Sequence, residues 1–257
     1  MFPVWELSEE ERKDRLAEAL VLSDAMRDHK TGIGMQSERT LHSVLKFYVE
    51  PDVDWQEIPV NGYIADIYHH EPKEAVEIQT GSFGPLREKL AAFLPEFPVT
   101  VVHPIVRKSK VWWVDPGTGE LSGSGRTVNR KGELYHILPE LYRISGALSL
   151  TGLRFLPILV DVEEYRIADG WSRDGKRGAH RADRLPTAVG ESVLLEKASD
   201  FRRILPELPE IFTSEDFGKC TRFRGRALSY SMIALRTLGV AELAGKKGKK
   251  YLYRLVG

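Results

Sequence analysis

Three residues in the stretch YIADIYHHEPKEAVEIQT, residues 63 to 80, combine reactive chemistry with regular spacing: Asp66, Glu77 and Gln79. The stretch alternates like two half-buried strands, so Ile64, Asp66 and Tyr68 share one face of the first, and Ala75, Glu77 and Gln79 share one face of the second. A turn centred between Glu71 and Pro72 pairs residues whose numbers sum to 143, which sets Asp66 opposite Glu77. Opposed residues have Cβ atoms about 4.5–5.5 Å apart, and like charges at that distance repel. Two carboxylates so placed call for a cation between them or a proton on one. Their oxygens are hard ligands suited to Mg²⁺ or Mn²⁺.

A third acid is positioned to join them. In SERTLHSVLKFY (37–48) the apolar stripe is Leu41, Leu45 and Tyr48, and Glu38 lies three residues before Leu41 on that stripe. Glu38 is therefore a candidate metal ligand pointing toward the sheet. The alternative is a carboxylate in a first helical turn, favoured there by unsatisfied N–H groups and the helix dipole. His69 and His70 precede the turn and His42 lies on the Glu38 helix, but no third ligand completes a zinc site, so these histidines are expected at turns or on the surface.

The elements that must hold these residues follow from capping and periodicity. Residues 8–29 open with Ser8 and Glu11 in capping-box spacing and carry Leu16, Ala19 and Leu20 at helical intervals. Ser37 is placed to cap the second helix. WQEIPVNGYIADIYHH and EAVEIQT are strands, and GSFGPLREKLAAFL (81–94) turns into a helix with Pro85 suited to its first position. PVTVVHPIV (98–106) and KVWWVD (110–115) read as two further strands. The Gly/Ser/Thr-rich residues 116–132 are expected to be an exposed loop, HILPELYRISGAL to be helical, and LRFLPILVDVEEYRI (153–167) to contain a strand. A basic loop is expected over 172–184, with Arg173, Lys176, Arg177, Arg181 and Arg184, followed by a partly helical SVLLEKASDFRRIL.

With 257 residues, 42% hydrophobic and 29% charged, the chain has material for a sizeable core in one large or two smaller domains. No apolar run approaches the ~20 residues that span a bilayer, and MFPVWELSEEERKDR is acidic where a signal peptide is basic. The expected location is cytoplasmic. Cys220 has no partner for an internal disulfide and reads as a buried or half-buried apolar residue. The formal net charge is zero, yet residues 1–164 carry 18 basic against 26 acidic side chains and residues 165–257 carry 19 against 11. A basic C-terminal part points to a phosphate-bearing partner.

An acid on a helix, Asp66 on the first hairpin strand, ten intervening residues and then Glu77-Ile78-Gln79 resembles the PD-(D/E)XK nuclease superfamily. The resemblance covers roughly residues 37–115, and LHSVLKFY, VNGYIADI, EAVEIQTGSFGPLREKL and VVHPI resemble a bacterial branch of it with an E-x-Q motif and a C-terminal winged helix. It implies an α/β fold: a restriction-endonuclease-like mixed β-sheet core flanked by helices. Asp66 and Glu77 would be metal ligands, Glu38 the acid of the preceding helix, and Asp66, Glu77, Gln79 and Glu38 the catalytic set, with Mg²⁺ or Mn²⁺ as cofactor. Ala65 replaces the proline of the motif's name. Gln79 replaces the usual lysine, and a neutral amide can orient water but not stabilise negative charge as an ammonium does. Lys89 and Arg87 on the following helix are candidates for a substitute cation.

At the C-terminus, residues 212–254 read as two short helices and a hairpin. Ser214 is placed to cap the first, Leu228, Met232 and Leu235 stripe the second, and Gly239 ends it. The order resembles a winged helix-turn-helix. Arg222, Arg224, Arg226, Ser229 and Tyr230 would lie on or before the recognition helix, and Lys246, Lys247, Lys249 and Lys250 on the wing. The expected organisation is an N-terminal helix (1–36), a nuclease-like core (37–170), a basic loop and connecting helix (171–210) and a winged helix domain (211–257).

The sequence thus points to a Mg²⁺-dependent deoxyribonuclease, an endonuclease that hydrolyses phosphodiester bonds in duplex or branched DNA bound by the winged helix and basic loop. Cutting both strands of a duplex generally takes two active sites, so a homodimer is one expected assembly. The alternative is a catalytically inactive, nuclease-like DNA-binding or regulatory protein. A third reading is a scaffold whose winged helix docks a protein partner.

Overall fold

A computed structural model describes residues 3–26, 39–115, 117–171 and 177–256. Glu38, Arg173 and Lys176, and the Ser37 cap, lie outside these residues. In chain order the elements are α1 (Glu9–Ala25), α2 (Arg39–Val49), β1 (Gln56–Val60), β2 (Tyr63–His70), β3 (Lys73–Ile78), α3 (Leu86–Phe93), β4 (Val99–Val114), β5 (Leu121–Asn129), α4 (Leu138–Leu141) and β6 (Leu153–Trp171). They continue with β7 (Arg177–Ser192), α5 (Ala198–Arg203), α6 (Ser214–Thr221), α7 (Gly225–Thr237), β8 (Ala241–Lys247) and β9 (Lys250–Leu255).

Among the described residues, seven strands form a mixed sheet in the order β1-β2-β3-β4-β6-β7, with β5 on β4, and β8-β9 form a separate hairpin. The fold is α/β, a large mixed sheet with helices. No described helix is long and apolar enough to cross a membrane. The chain divides into two compact units, Met1–Ile58 with Pro104–Glu133 and Ile158–Ser192, and Pro59–His103 with Leu134–Pro157 and Val193–Gly257.

In the first unit α1 packs on α2, and both pack on β7. The Ser8–Glu11 capping box forms as expected: the Ser8 N–H donates to Glu11 Oε2 at 2.7 Å and the Glu11 N–H to Ser8 Oγ at 3.3 Å. Leu16 and Ala19 of α1 and Leu41, Val44, Leu45 and Tyr48 of α2 are buried. Arg15 Nε reaches across to the Tyr48 carbonyl at 2.9 Å.

Three sequence expectations are corrected here. PVTVVHPIV and KVWWVD are one strand, β4, because the intervening Arg107, Lys108 and Ser109 continue its ladder rather than turning. The expected loop at 116–132 contains β5, which runs antiparallel to β4 from Val114↔Leu121 to Lys108↔Asn129. Its small residues carry little strand propensity of their own, and pairing with the edge of β4 overrides that. The expected basic loop becomes strand from Arg177 onward: β7 pairs with β6 from Trp171↔Arg177 to Ile158↔Ser192. Arg184, directly opposite Glu164, stands 3.9 Å from its carboxylate.

In the second unit the β2–β3 hairpin lies beside the first residues of β4, which pair in parallel with β3 from Ala75↔Val99 to Ile78↔Val102. Phe83, Phe155 and Phe201 anchor the core, with ring centroids 6.2 and 6.1 Å apart. The C-terminal elements run helix, left-handed turn at Arg222 (φ 63°), helix, hairpin. Thr213, not Ser214, caps α6, because its side chain accepts from the Asp216 N–H while Asp216 reaches back to Thr213. Gly239 at φ 69° ends α7 as expected. Cys220 is exposed, contrary to expectation, because α6 buries Phe217 and Thr221 and turns Cys220 outward.

Candidate functional site

The hairpin has the register that the sequence dictates. Ile67↔Val76, Tyr68↔Ala75, His69↔Glu74 and His70↔Lys73 each sum to 143. At the open end of this ladder Asp66 Oδ2 accepts the Ile78 N–H at 2.7 Å, so its carboxylate leans over β3 just beyond Glu77. Glu77, on a strand flanked by β2 and β4 and beneath α3, is 2% exposed.

Helix α3 covers the face that carries Tyr68 and Glu77. Leu86, Leu90 and Phe93 form its buried stripe, and beyond it Phe97 meets Tyr68 at 5.0 Å and Phe93 at 5.2 Å. Lys89, beside that stripe, donates from Nζ to Glu77 Oε2 at 2.5 Å. The other carboxylate oxygen, Glu77 Oε1, is buried with no hydrogen-bond partner. Burial, and then the charge of Asp66, push the Glu77 carboxyl up to about 8, against the pull of Lys89.

The Gln79 amide Nε2 donates to the Ser82 carbonyl at 2.8 Å, tying down the turn that leads into α3. The Gln79 carbonyl accepts from His103 Nδ1 at 2.6 Å, and the His103 ring stands edge-on to Phe83 at 5.0 Å. His103 carried no signal in the sequence, being one more residue in a buried strand. Arg87 is directed away from the acids, to the Arg143 carbonyl. Of the two candidate substitute cations, Lys89 alone pairs with Glu77.

Glu74, three residues earlier on β3 and on the opposite face from Glu77, is a separate ion pair, 2.8 Å from Arg154 Nη2 and 3.5 Å from His69 Nδ1. Among the described residues no group of three or more His, Cys, Asp or Glu is placed to hold a metal. The described ligand set is the pair Asp66 and Glu77. An orphaned buried carboxylate oxygen beside a second carboxylate fits a hard divalent cation, which would satisfy Oε1 and relieve the repulsion.

The candidate nucleic-acid residues fall into two groups. Arg177 opens β7, with its side chain outside the described residues, and Arg181 is opposite Arg166 in the β6–β7 ladder. In the C-terminal elements Arg222, Arg224 and Arg226 are exposed at the start of α7, and Ser229, Ile233 and Arg236 continue its exposed face. Tyr230 is not on that face: it stacks on Tyr142 at 4.1 Å and 13°, which packs α7 against α4. In the β8–β9 hairpin, Lys250 is paired with Glu215 and Lys246 lies 4.5 Å from the centre of the Tyr251 ring. Lys247 and Lys249 are exposed at the tip.

The fold and site together define a mixed α/β protein with a hairpin carboxylate pair covered by a lysine-bearing helix. The chain belongs to the family described as Domain of unknown function (DUF8091), which matches residues 39–196 and so includes Asp66, Glu77 and Lys89. It is 29% identical over 218 residues to an uncharacterized protein of Treponema pallidum (strain Nichols), covering 84% of this chain and 85% of the relative. No solved structure matches the chain.

Proposed function

We propose that this protein is a metal-dependent endonuclease acting on DNA, with a restriction-endonuclease-like core and a C-terminal winged helix that holds the substrate. The observation that carries the reading is Glu77, buried beside Asp66 and Lys89 with one carboxylate oxygen unpartnered. A carboxyl kept in so costly a position serves a ligand better than it serves the fold.

In this reading Asp66 and Glu77 hold Mg²⁺ or Mn²⁺. What the cation supplies is a bound water of lowered pKa and charge neutralisation at a phosphodiester. Lys89 holds Glu77 in its rotamer and brings to the site the ammonium that position 79 lacks. Gln79 fixes the turn that aims α3, and its amide is the neutral group available to orient water. The exposed Arg222, Arg224 and Arg226 and the tip lysines Lys247 and Lys249 suit phosphate binding. Cleavage of plasmid and branched DNA with Mg²⁺ or Mn²⁺, abolished by Asp66→Ala and by Glu77→Ala, tests the reading.

One observation favours the alternative, an inactive nuclease-like DNA-binding or regulatory protein: Lys89 already neutralises Glu77 in the described set of two carboxylates. If wild type and both variants bind DNA alike and none cuts with either metal, that alternative holds.

A further inference from the structure

The first unit contains a second concentration of charge, opposite in sign to the hairpin acids. Glu164 on β6 is 3% exposed. Arg166, two residues on, donates from Nε to Glu164 Oε1 at 2.6 Å, while Arg130 Nη2 and Arg184 Nε stand 3.6 and 3.9 Å from Oε2. Arg184 is directly opposite Glu164 in the ladder and Arg181 opposite Arg166. Three guanidinium groups, those of Arg130, Arg166 and Arg184, therefore gather around one carboxylate.

The neighbouring acids are committed elsewhere. Asp161 takes both forks of Arg107 at 2.9 and 2.8 Å. Asp183 accepts from Thr40 and from the Arg184 N–H. Glu163 accepts the Tyr165 hydroxyl at 2.9 Å and faces Lys110 at 4.0 Å. Arg184 Nε is buried without an acceptor. Three guanidiniums on one carboxylate, one of them with a buried Nε left without an acceptor, are unfavourable unless a ligand supplies both charge and oxygens.

We propose that Arg130, Arg166 and Arg184 form a binding site for a phosphate group, with Glu164 as the positioning residue that holds the guanidiniums. A phosphate matches this set better than a carboxylate does. It carries more acceptor oxygens, accepts paired N–H bonds from several planar forks, and brings nearly two negative charges. The site stands on the first unit alone and does not depend on the hairpin acids acting as a nuclease.

The experiment is calorimetric titration of the full-length Asp66→Ala protein, in metal-free buffer at constant ionic strength, with inorganic phosphate and with pyrophosphate. Saturable binding is expected, weakened at least tenfold by Arg130→Gln with Arg166→Gln, whose side chains are 39% and 33% exposed and tolerate replacement. Absence of saturable binding, or equal binding by that double variant, overturns the site. Glu164→Gln supplies an independent readout: a purely structural ion-pair network predicts a melting temperature that phosphate raises no more than in wild type. A phosphate site predicts that the anion restores the variant by more than it stabilises wild type. Competition by duplex DNA identifies the nucleic-acid backbone as the source of the phosphate, and its failure identifies a small phosphorylated ligand.

Discussion

Lys89 Nζ and Glu77 Oε2 meet at 2.5 Å although one residue is on α3 and the other on β3, twelve positions earlier. The pair places a cation beside the hairpin acids from a neighbouring element, where the residue two after Glu77 is a glutamine. Lys89→Met is therefore expected to lower Mn²⁺-dependent plasmid nicking by roughly 10²-fold, the scale of removing one group that stabilises developing charge. Lys89→Arg is expected to retain part of it. Initial nicking rates measure both, and an unaltered rate in Lys89→Met excludes the lysine from catalysis.

The orphaned oxygen of Glu77 leads to a prediction about stability. A cation that binds only the folded protein contributes about 2.7 kcal/mol at a hundredfold excess over its Kd. For a chain of this size each kcal/mol moves the melting temperature by about 2–4 °C. Mn²⁺ should raise the wild-type melting temperature by several degrees and should leave Asp66→Ala and Glu77→Gln where they were. Equal shifts in all three proteins place the metal elsewhere.

The hairpin tip is predicted to act through only part of its charge. All four lysines are exposed, but Lys250 is paired with Glu215 and Lys246 lies over the Tyr251 ring, which leaves the charge of Lys247 and Lys249 the more available to phosphate. Replacing the latter two with alanine should reduce the slope of log K against log salt for duplex DNA by about 1–2, near 0.9 for each phosphate no longer neutralised. Fluorescence anisotropy at several salt concentrations reads the slope. An unchanged slope removes the tip from the DNA interface.

Tyr48 sets an alkaline limit on the first unit. Its hydroxyl is buried without a partner, and burial pushes the phenol up to about 12, with Arg12 and Arg15 pulling the other way. A folded pKa above the unfolded value of 10.0 means that its stabilising effect is full below pH 10 and is lost as pH rises toward 12. The loss amounts to at most about 2.7 kcal/mol. Tyr48→Phe removes both this dependence and an unsatisfied hydroxyl. Denaturant melts at pH 8 and pH 11 should show the variant at least as stable as wild type at the lower pH and ahead of it at the higher.

The hairpin was legible in the sequence because its information is local. Alternation and a turn set the register, and the Ile67↔Val76 ladder follows from them. The α1 capping box and the α7 stop at Gly239 are local in the same way. The cation beside Glu77 was narrowed to Lys89 or Arg87, and only the packing of Leu86, Leu90 and Phe93 decides which one faces the acids. β5 and β7 were hidden because long-range pairing overrides weak or polar local preference. The arginines of 177–184 read as a basic, DNA-binding loop, and only the pairing of β7 with β6 sets Glu164 opposite Arg184.

The stack of Tyr142 on Tyr230 crosses a boundary that the family match draws. Tyr142 lies inside residues 39–196 and Tyr230 beyond them, so a region shared with relatives finishes part of its packing on the terminal helices. A shortened chain stopping near residue 196 would uncover that ring and the α4 surface around it, inviting self-association. Any relative lacking the terminal helices must carry a polar side chain at the Tyr142 position or bring another segment to shelter it.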